Sequence, residues 1–141
     1  MKITAKVPAH LRKLYEAAHQ ARLRSYSPYS GKKVGAAIET SSGTIYFGCN
    51  VENATYGATC CAERTAIQTA VAHEGRFVLR RVLVLTDHPS PWLPCGICRQ
   101  VLTEFAPKRG KVPVYALNLK GVCLETSLQE LLPTPFDRTQ L

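Results

Sequence analysis

Leu11, Leu14, Tyr15, Ala18 and Ala21 recur at three- and four-residue intervals, the stripe of an amphipathic helix, and predict one from Pro8 to about Arg24. Pro8 suits its first turn, where a missing N–H costs nothing. The turn formers of SYSPYSG then end it. KVGAAIET and TIYFG, joined by a Ser/Gly turn, predict two short strands, and the polar stretch CNVENATYGAT after them predicts a loop. In CCAERTAIQTAVAHEG the period returns to that of a helix. Ala62, Ala66, Ile67, Ala70 and Val71 lie on one side, and Gly75 is the stop. RRVLVLT reads as a buried strand and DHPSPWLP as a proline-rich loop. CGICRQVLTEFA is a second helix with Ile97, Val101, Leu102 and Phe105 inward. VPVYAL and VCLE are strands around the turn NLKG, and SLQELL is a closing helix that opens on a capping box from Ser127 to Glu130.

The predicted order α-β-β-α-β-α-β-β-α is that of an α/β protein. It implies one mixed sheet of five strands with helices packed on it, and the strand–helix–strand crossover over 80–117 forms the parallel part. No repeat, low-complexity tract or Gly/Ser linker interrupts the 141 residues, which are expected to form a single domain, 1–141. Hydrophobic residues make up 45% and charged ones 20%, as in soluble globular proteins, and no apolar run is long enough to span a membrane. The first 24 residues have no secretory h-region, so a cytoplasmic location is expected.

Charge changes this picture little. Residues 1–33 hold eight basic side chains against Glu16 alone, but the bases are scattered, as on a solvated helix face. The six cysteines change it more. A chain of this size needs no disulfide staples, and in a reducing compartment thiols serve metal binding or catalysis. Cys49, Cys60 and Cys123 read as small buried apolar residues.

Cys95 and Cys98 in PCGICRQ fit a redox pair, half a structural zinc site or part of a catalytic metal centre. Both fall at a helix start, as does Cys61, where unpaired N–H groups and the helix dipole favour thiolates. Three thiolates leave one position of a tetrahedral zinc open, the mark of a catalytic site. Glu63, two residues past Cys61, is placed to stand beside that position and take a proton from a water the metal activates. Arg64 is a candidate for hydrogen bonding to the ligand sulfurs and offsetting their charge. The four histidines show no ligand spacing.

Cys61-Ala62-Glu63 followed by Pro94-Cys95-Gly96-Ile97-Cys98 resembles the zinc deaminase signature in its three-cysteine form. YSPYSGKKVGAA, NVENATYGAT, RQVL and LQELLPTPF are similar to segments of the small, homotetrameric cytidine deaminases, and the resemblance runs from about Leu14 to Phe136. It implies a three-layer α-β-α fold and a hydrolytic deamination at C4 of the cytosine ring of cytidine and deoxycytidine, in pyrimidine salvage. Zn2+ would be held by Cys61, Cys95 and Cys98, and Glu63 would shuttle protons. Asn50 and Glu52 would hold the ribose hydroxyls, and the backbone of Ala62 would meet the pyrimidine. Tyr56 and Phe136 would approach a neighbouring subunit's site, which implies a homotetramer with shared sites.

Two features depart from the family pattern. Lys32 stands where an aromatic ring lies over the pyrimidine, and Trp92 with extra prolines precedes the Cys95 motif as a candidate rim residue. Lys32 keeps open a modified cytidine or an aminonucleoside antibiotic of the blasticidin S kind as substrate. A polynucleotide substrate is not expected, because the Asn50-x-Glu52 pair reads as a clamp for a free nucleoside and the compact chain offers little channel for a strand. A non-catalytic zinc-stabilised module would bind metal without using Glu63.

Overall fold

Alternation along one strand decides the architecture. In the computed structural model, which describes every residue from Met1 to Leu141, β4 (Leu79–Thr86) sends Val82 and Val84 to one side and Leu83 and Leu85 to the other, and all four are buried. A strand apolar on both faces needs cover on both. α1 (Arg12–Leu23) supplies it on one face, where Leu14 and Ala18 meet Leu83, Leu85, Tyr115 and Leu117. On the other face Ala66, Ile67 and Ala70 of α2 (Ala62–Glu74) and Leu102 of α3 (Gly96–Glu104) pack on Val82, Val84 and Val114, with Leu128 of α4 (Leu128–Leu131) beside them. The result is the expected three-layer α-β-α arrangement. Each fully buried leucine or valine stabilises it by about 1.5–3 kcal/mol.

The sheet has six strands rather than five, in the order β1-β6-β5-β4-β2-β3. These are β1 (Lys2–Thr4), β2 (Gly35–Thr40), β3 (Ile45–Cys49), β5 (Pro113–Asn118) and β6 (Cys123–Ser127), together with β4. β1 is the addition. Ile3 pairs with Leu124 at the sheet edge, and three mostly exposed residues leave no alternation to read. β4 and β5 pair in parallel, as the crossover requires, and every other pair is antiparallel.

Local details also differ from expectation. Pro8 caps a single 3-10 turn, Ala9–Leu11, and the α-helix starts only at Arg12. Val71 and Ile97 are exposed at 42% and 61%, because each lies at the border of its helix's apolar stripe and the sheet reaches only the centre. Half of the capping box at Ser127 forms. Its Oγ accepts from Glu130 N at 3.3 Å, but the Glu130 carboxylate turns to Thr126 Oγ1 and Lys111 Nζ instead. No helix is long and apolar enough to cross a membrane.

The strand directions set up the site. β3, β4 and β5 run the same way, so their carboxyl ends lie together. α2 follows β3 and α3 follows β4, so both helices begin at that end and run back over the sheet. Ligands of α/β sheets bind outside the carboxyl ends of such strands. Two glycines let the helices seat closely. A Cβ on Gly48 would lie 2.4 Å from Ala66 N and 2.7 Å from Ala62 O, and one on Gly35 would lie 1.9 Å from Ala18 O.

Gly48→Ala is therefore expected to push the first turn of α2 off β3 and cost about 1–3 kcal/mol. Guanidinium unfolding measures this; an unchanged midpoint would show that α2 is not held by the close approach.

Candidate active site

Cys61 is the N-cap of α2 and Cys95 the N-cap of α3, both with extended backbone, and Cys98 lies in the first turn of α3, fully buried. The sequence thus places each thiol where helix N–H groups favour negative charge. All three sulfurs lie within 4.8 Å of one another. Cys61 Sγ and Cys95 Sγ are 3.8 Å apart. Two sulfurs each about 2.3 Å from a tetrahedral zinc ion stand roughly 3.8 Å apart, so the spacing fits that ion. No fourth side chain completes the set. Cys60 donates to Cys61 O and accepts from Thr65 Oγ1, and His88 Nδ1 accepts from Ser90 N, so neither candidate for a structural fourth ligand joins the cluster. A tetrahedral ion held by these three sulfurs would keep one position open.

The electrostatics fit a cation. The Cys61 thiol is pulled down to about 5, first by the hydrogen bond from Cys98 and then by Arg64 and Cys95. Cys98 is pushed up because it keeps the proton of this pair, with burial and the Glu63 charge adding to the effect. Arg64 donates from Nη2 to Thr59 O at 2.9 Å and approaches Cys61 Sγ at 3.8 Å, while its Nε is buried with no hydrogen-bond partner. Its guanidinium thus lies beside the Cys61 sulfur, anchored by the Thr59 carbonyl. Glu63 is only 4% exposed. Burial raises its carboxyl to about 7, and the Cys61 charge adds to this, against its own backbone N–H, Cys98 and Arg64.

The Asn50–Glu52 pair lies at the same end of the sheet, and much of its capacity is spent on the chain itself. Asn50 Oδ1 accepts from Val34 N at 2.9 Å and from Ser25 Oγ, and Nδ2 donates to Lys32 O at 2.8 Å. Glu52 accepts from Tyr29 N at 2.9 Å, Ser30 N at 3.0 Å and Ser30 Oγ. Its carboxyl is held below the usual range, first by the Ser30 hydroxyl. Together they fasten the loop between α1 and β2. Val51 pairs with Cys60, which ties this loop system to the start of α2.

Ala62 is fully buried. Tyr56 is 76% and Phe136 59% exposed; Tyr56 packs edge-on against Tyr29, and Phe136 O accepts from Gln100 Nε2 at 2.7 Å. Lys32 is exposed and has no acidic partner. Trp92 lies partly exposed against His88, ring centroids 5.3 Å apart. A cavity of about 900 Å3 lies elsewhere, between the end of α3 and the C-terminal segment. No zinc-ligand candidate lines it, and the chemistry of the thiol cluster outweighs its size.

The family model for the cytidine and deoxycytidylate deaminase zinc-binding region matches residues 8–114. The chain belongs to this family. The cytidine deaminase of Sporosarcina psychrophila is 46% identical over 129 residues, 92% of this chain and 93% of that protein. The Halalkalibacterium halodurans cytidine deaminase is 46% identical over 123 residues, 87% of this chain and 91% of that one. Among solved structures, the cytidine deaminase of Burkholderia pseudomallei superposes with a TM-score of 0.81 at 42% identity, covering 92% of this chain and 100% of the other.

In this member of the family, two buried polar side chains that pattern reading passed over hold the loops in place. Arg22 donates from Nε to Lys33 O at 3.1 Å and from Nη2 to Asp87 Oδ2 at 2.8 Å, joining the loop before β2 to the loop that leads to Cys95. Asn118 donates to Pro89 O at 2.7 Å and accepts from Lys120 N and Val122 N. The signal for Arg22 was its place four residues past Ala18, on the apolar stripe of α1; for Asn118 it was the turn NLKG. Cys95→Ala is expected to lower zinc from about one ion per chain to well under half, read by a chromophoric chelator on purified protein. A zinc-replete variant would remove Cys95 from the ligand set.

Proposed function

We propose that this chain is a zinc-dependent hydrolase that converts cytidine, and 2'-deoxycytidine, to the uridine product and ammonia in pyrimidine salvage. The observation that carries the reading is the three-thiol triangle with no fourth protein ligand and a buried carboxyl, Glu63, two residues from Cys61. Zinc bound there supplies the Lewis acidity that makes water a nucleophile near neutral pH. In the overall reaction water adds at C4, the C4–N4 bond breaks and ammonia leaves. Glu63 carries two protons in turn: the first that water gives up goes to ring N3, and the second, from the hydroxyl then on C4, goes to N4 as it leaves as ammonia, a role suited to a buried carboxyl. Cys61, Cys95 and Cys98 are the proposed ligands. Three thiolates and a divalent ion carry a net charge near −1, and Arg64 offsets it.

Asn50 keeps one Nδ2 hydrogen and Glu52 Oε2 one accepting position after their loop contacts. Those remaining groups are the proposed ribose contacts, held rigid by the bonds already made. The Ala62 backbone is the proposed pyrimidine contact. Lys32 is the proposed replacement for the family's ring beside the pyrimidine, and Trp92 is a rim candidate. The full span 1–141 is the proposed catalytic domain, since strands from Lys2 to Ser127 build one sheet. Six free thiols suit a reducing, cytoplasmic compartment.

The exposed rings of Tyr56 and Phe136 support an oligomer, proposed as a homotetramer, in which both are covered by a neighbouring subunit. Light scattering is expected to give four times the chain mass of 15.5 kDa; a monomer would withdraw the shared site.

The deaminase reading is tested on cytidine, deoxycytidine, cytosine, N4-modified cytidines, blasticidin S and an oligonucleotide, followed by absorbance. Turnover of the two nucleosides is expected, and turnover of the oligonucleotide alone would overturn the assignment. Glu63→Ala should lower kcat by about 10^2–10^4-fold while zinc stays bound; a near-normal rate would end the proton-shuttle role.

A further inference from the structure

Thr86 is the last residue of β4, and its side chain is 1% exposed. Its Oγ1 is buried and has no hydrogen-bond partner in the protein. A buried hydroxyl without a partner costs stability, and valine would occupy the same space without that cost.

The fold places this hydroxyl under the site. Along β4, Val82 and Val84 face α2 and α3, and Leu83 and Leu85 face α1, so alternation puts Thr86 on the α2/α3 side. Both helices start at the carboxyl end of the sheet; α2 runs back over β3 and β2, α3 lies beside α2, and the end of β4 points between their first turns. On α2, Ile67 packs in the same core as Val84, and Glu63 stands one turn earlier, toward the end of the strand. On α3, Leu102 packs in that core and Cys98 stands one turn earlier. One helical turn advances about 5.4 Å and two strand residues about 6.6 Å. The step from Ile67 and Leu102 to Glu63 and Cys98 therefore matches the step from Val84 to Thr86. At the level of the turns that carry the buried carboxyl and the buried thiol, the side chain at the end of β4 is therefore a buried hydroxyl with no hydrogen-bond partner in the protein.

We propose that Thr86 is a positioning residue for Glu63: its hydroxyl binds the Glu63 carboxyl through one bridging water and keeps it aimed at the open metal position. A methyl group in its place would leave the carboxyl free to turn away. This rests on the cytidine deaminase reading and adds to it the residue that orients the proton carrier.

The test compares wild type, Thr86→Val and Thr86→Ser as zinc-loaded full chains. Thr86→Val is expected to keep its zinc and to melt at the wild-type temperature or above, since it removes an unsatisfied group. Its kcat on cytidine should fall about tenfold, about 1.4 kcal/mol of barrier, with KM changed less than twofold, and Thr86→Ser should recover most of the loss. A Thr86→Val enzyme with wild-type kcat shows the hydroxyl idle. A variant that loses rate together with zinc or melting temperature, and is not rescued by serine, shows a structural role only. Either result overturns the inference. Wild type that fails to deaminate cytidine would strike the functional reading itself, whereas an active wild type with an unaffected valine variant strikes this inference alone.

Discussion

Three sulfur atoms held within 4.8 Å of one another are the constraint around which this end of the molecule is arranged. As thiolates they repel, and the surroundings must either hold them or cancel their charge. Two helix N-termini and the Arg64 guanidinium do part of this, and a divalent cation held by the three sulfurs would do the rest. The topology follows from the same need. Cys61 and Cys95 can share an ion only if α2 and α3 begin at one place. That requires β3 and β4 to run the same way, with β2 inserted between them in the opposite sense. Gly48 then sets how near α2 comes to the sheet, and so how near its first residue comes to α3.

The loops at this end are held by polar side chains, most of them buried, whereas the helices are held by apolar ones. Arg22, Asn50, Glu52 and Asn118 each make several hydrogen bonds to backbone or side-chain atoms of neighbouring loops. A polar group spent in this way fixes direction as well as distance, which apolar packing does not. A pocket that must orient a small polar substrate needs its walls set in direction. The two apolar clusters end one turn short of the site: they include Ile67 and Leu102 but not Glu63 or Cys98.

Most of the fold was legible because its strands are continuous apolar runs and its helices carry clean stripes. The zinc-ligand candidates were legible because local chemistry marks them, cysteines at helix starts with a carboxyl two residues on. What escaped was either too short to have a period, as with β1, or depended on partners distant in sequence. Arg22 meets Asp87, 65 residues away, and Asn118 meets Pro89, 29 residues away. Asn50 and Glu52 were legible as a polar pair, but their commitment to the loop after α1 was not, because their partners there are mainly backbone groups, which any residue provides. Val71 and Ile97 read as inward since a hydropathy pattern shows a stripe's width but not how much of it the sheet covers.

Glu63 links these layers. A carboxyl 4% exposed beside a thiolate is unfavourable on both counts, desolvated and facing a like charge. A cation among the sulfurs would remove the second of these. Binding of the metal and the electrostatic comfort of this end are therefore one free-energy term. That term acts on the first turns of α2 and α3. The turns behind them are seated by Ala66, Ile67, Ala70 and Leu102 in a core that contains no candidate ligand. The packing that seats these two helices therefore does not run through the sulfurs.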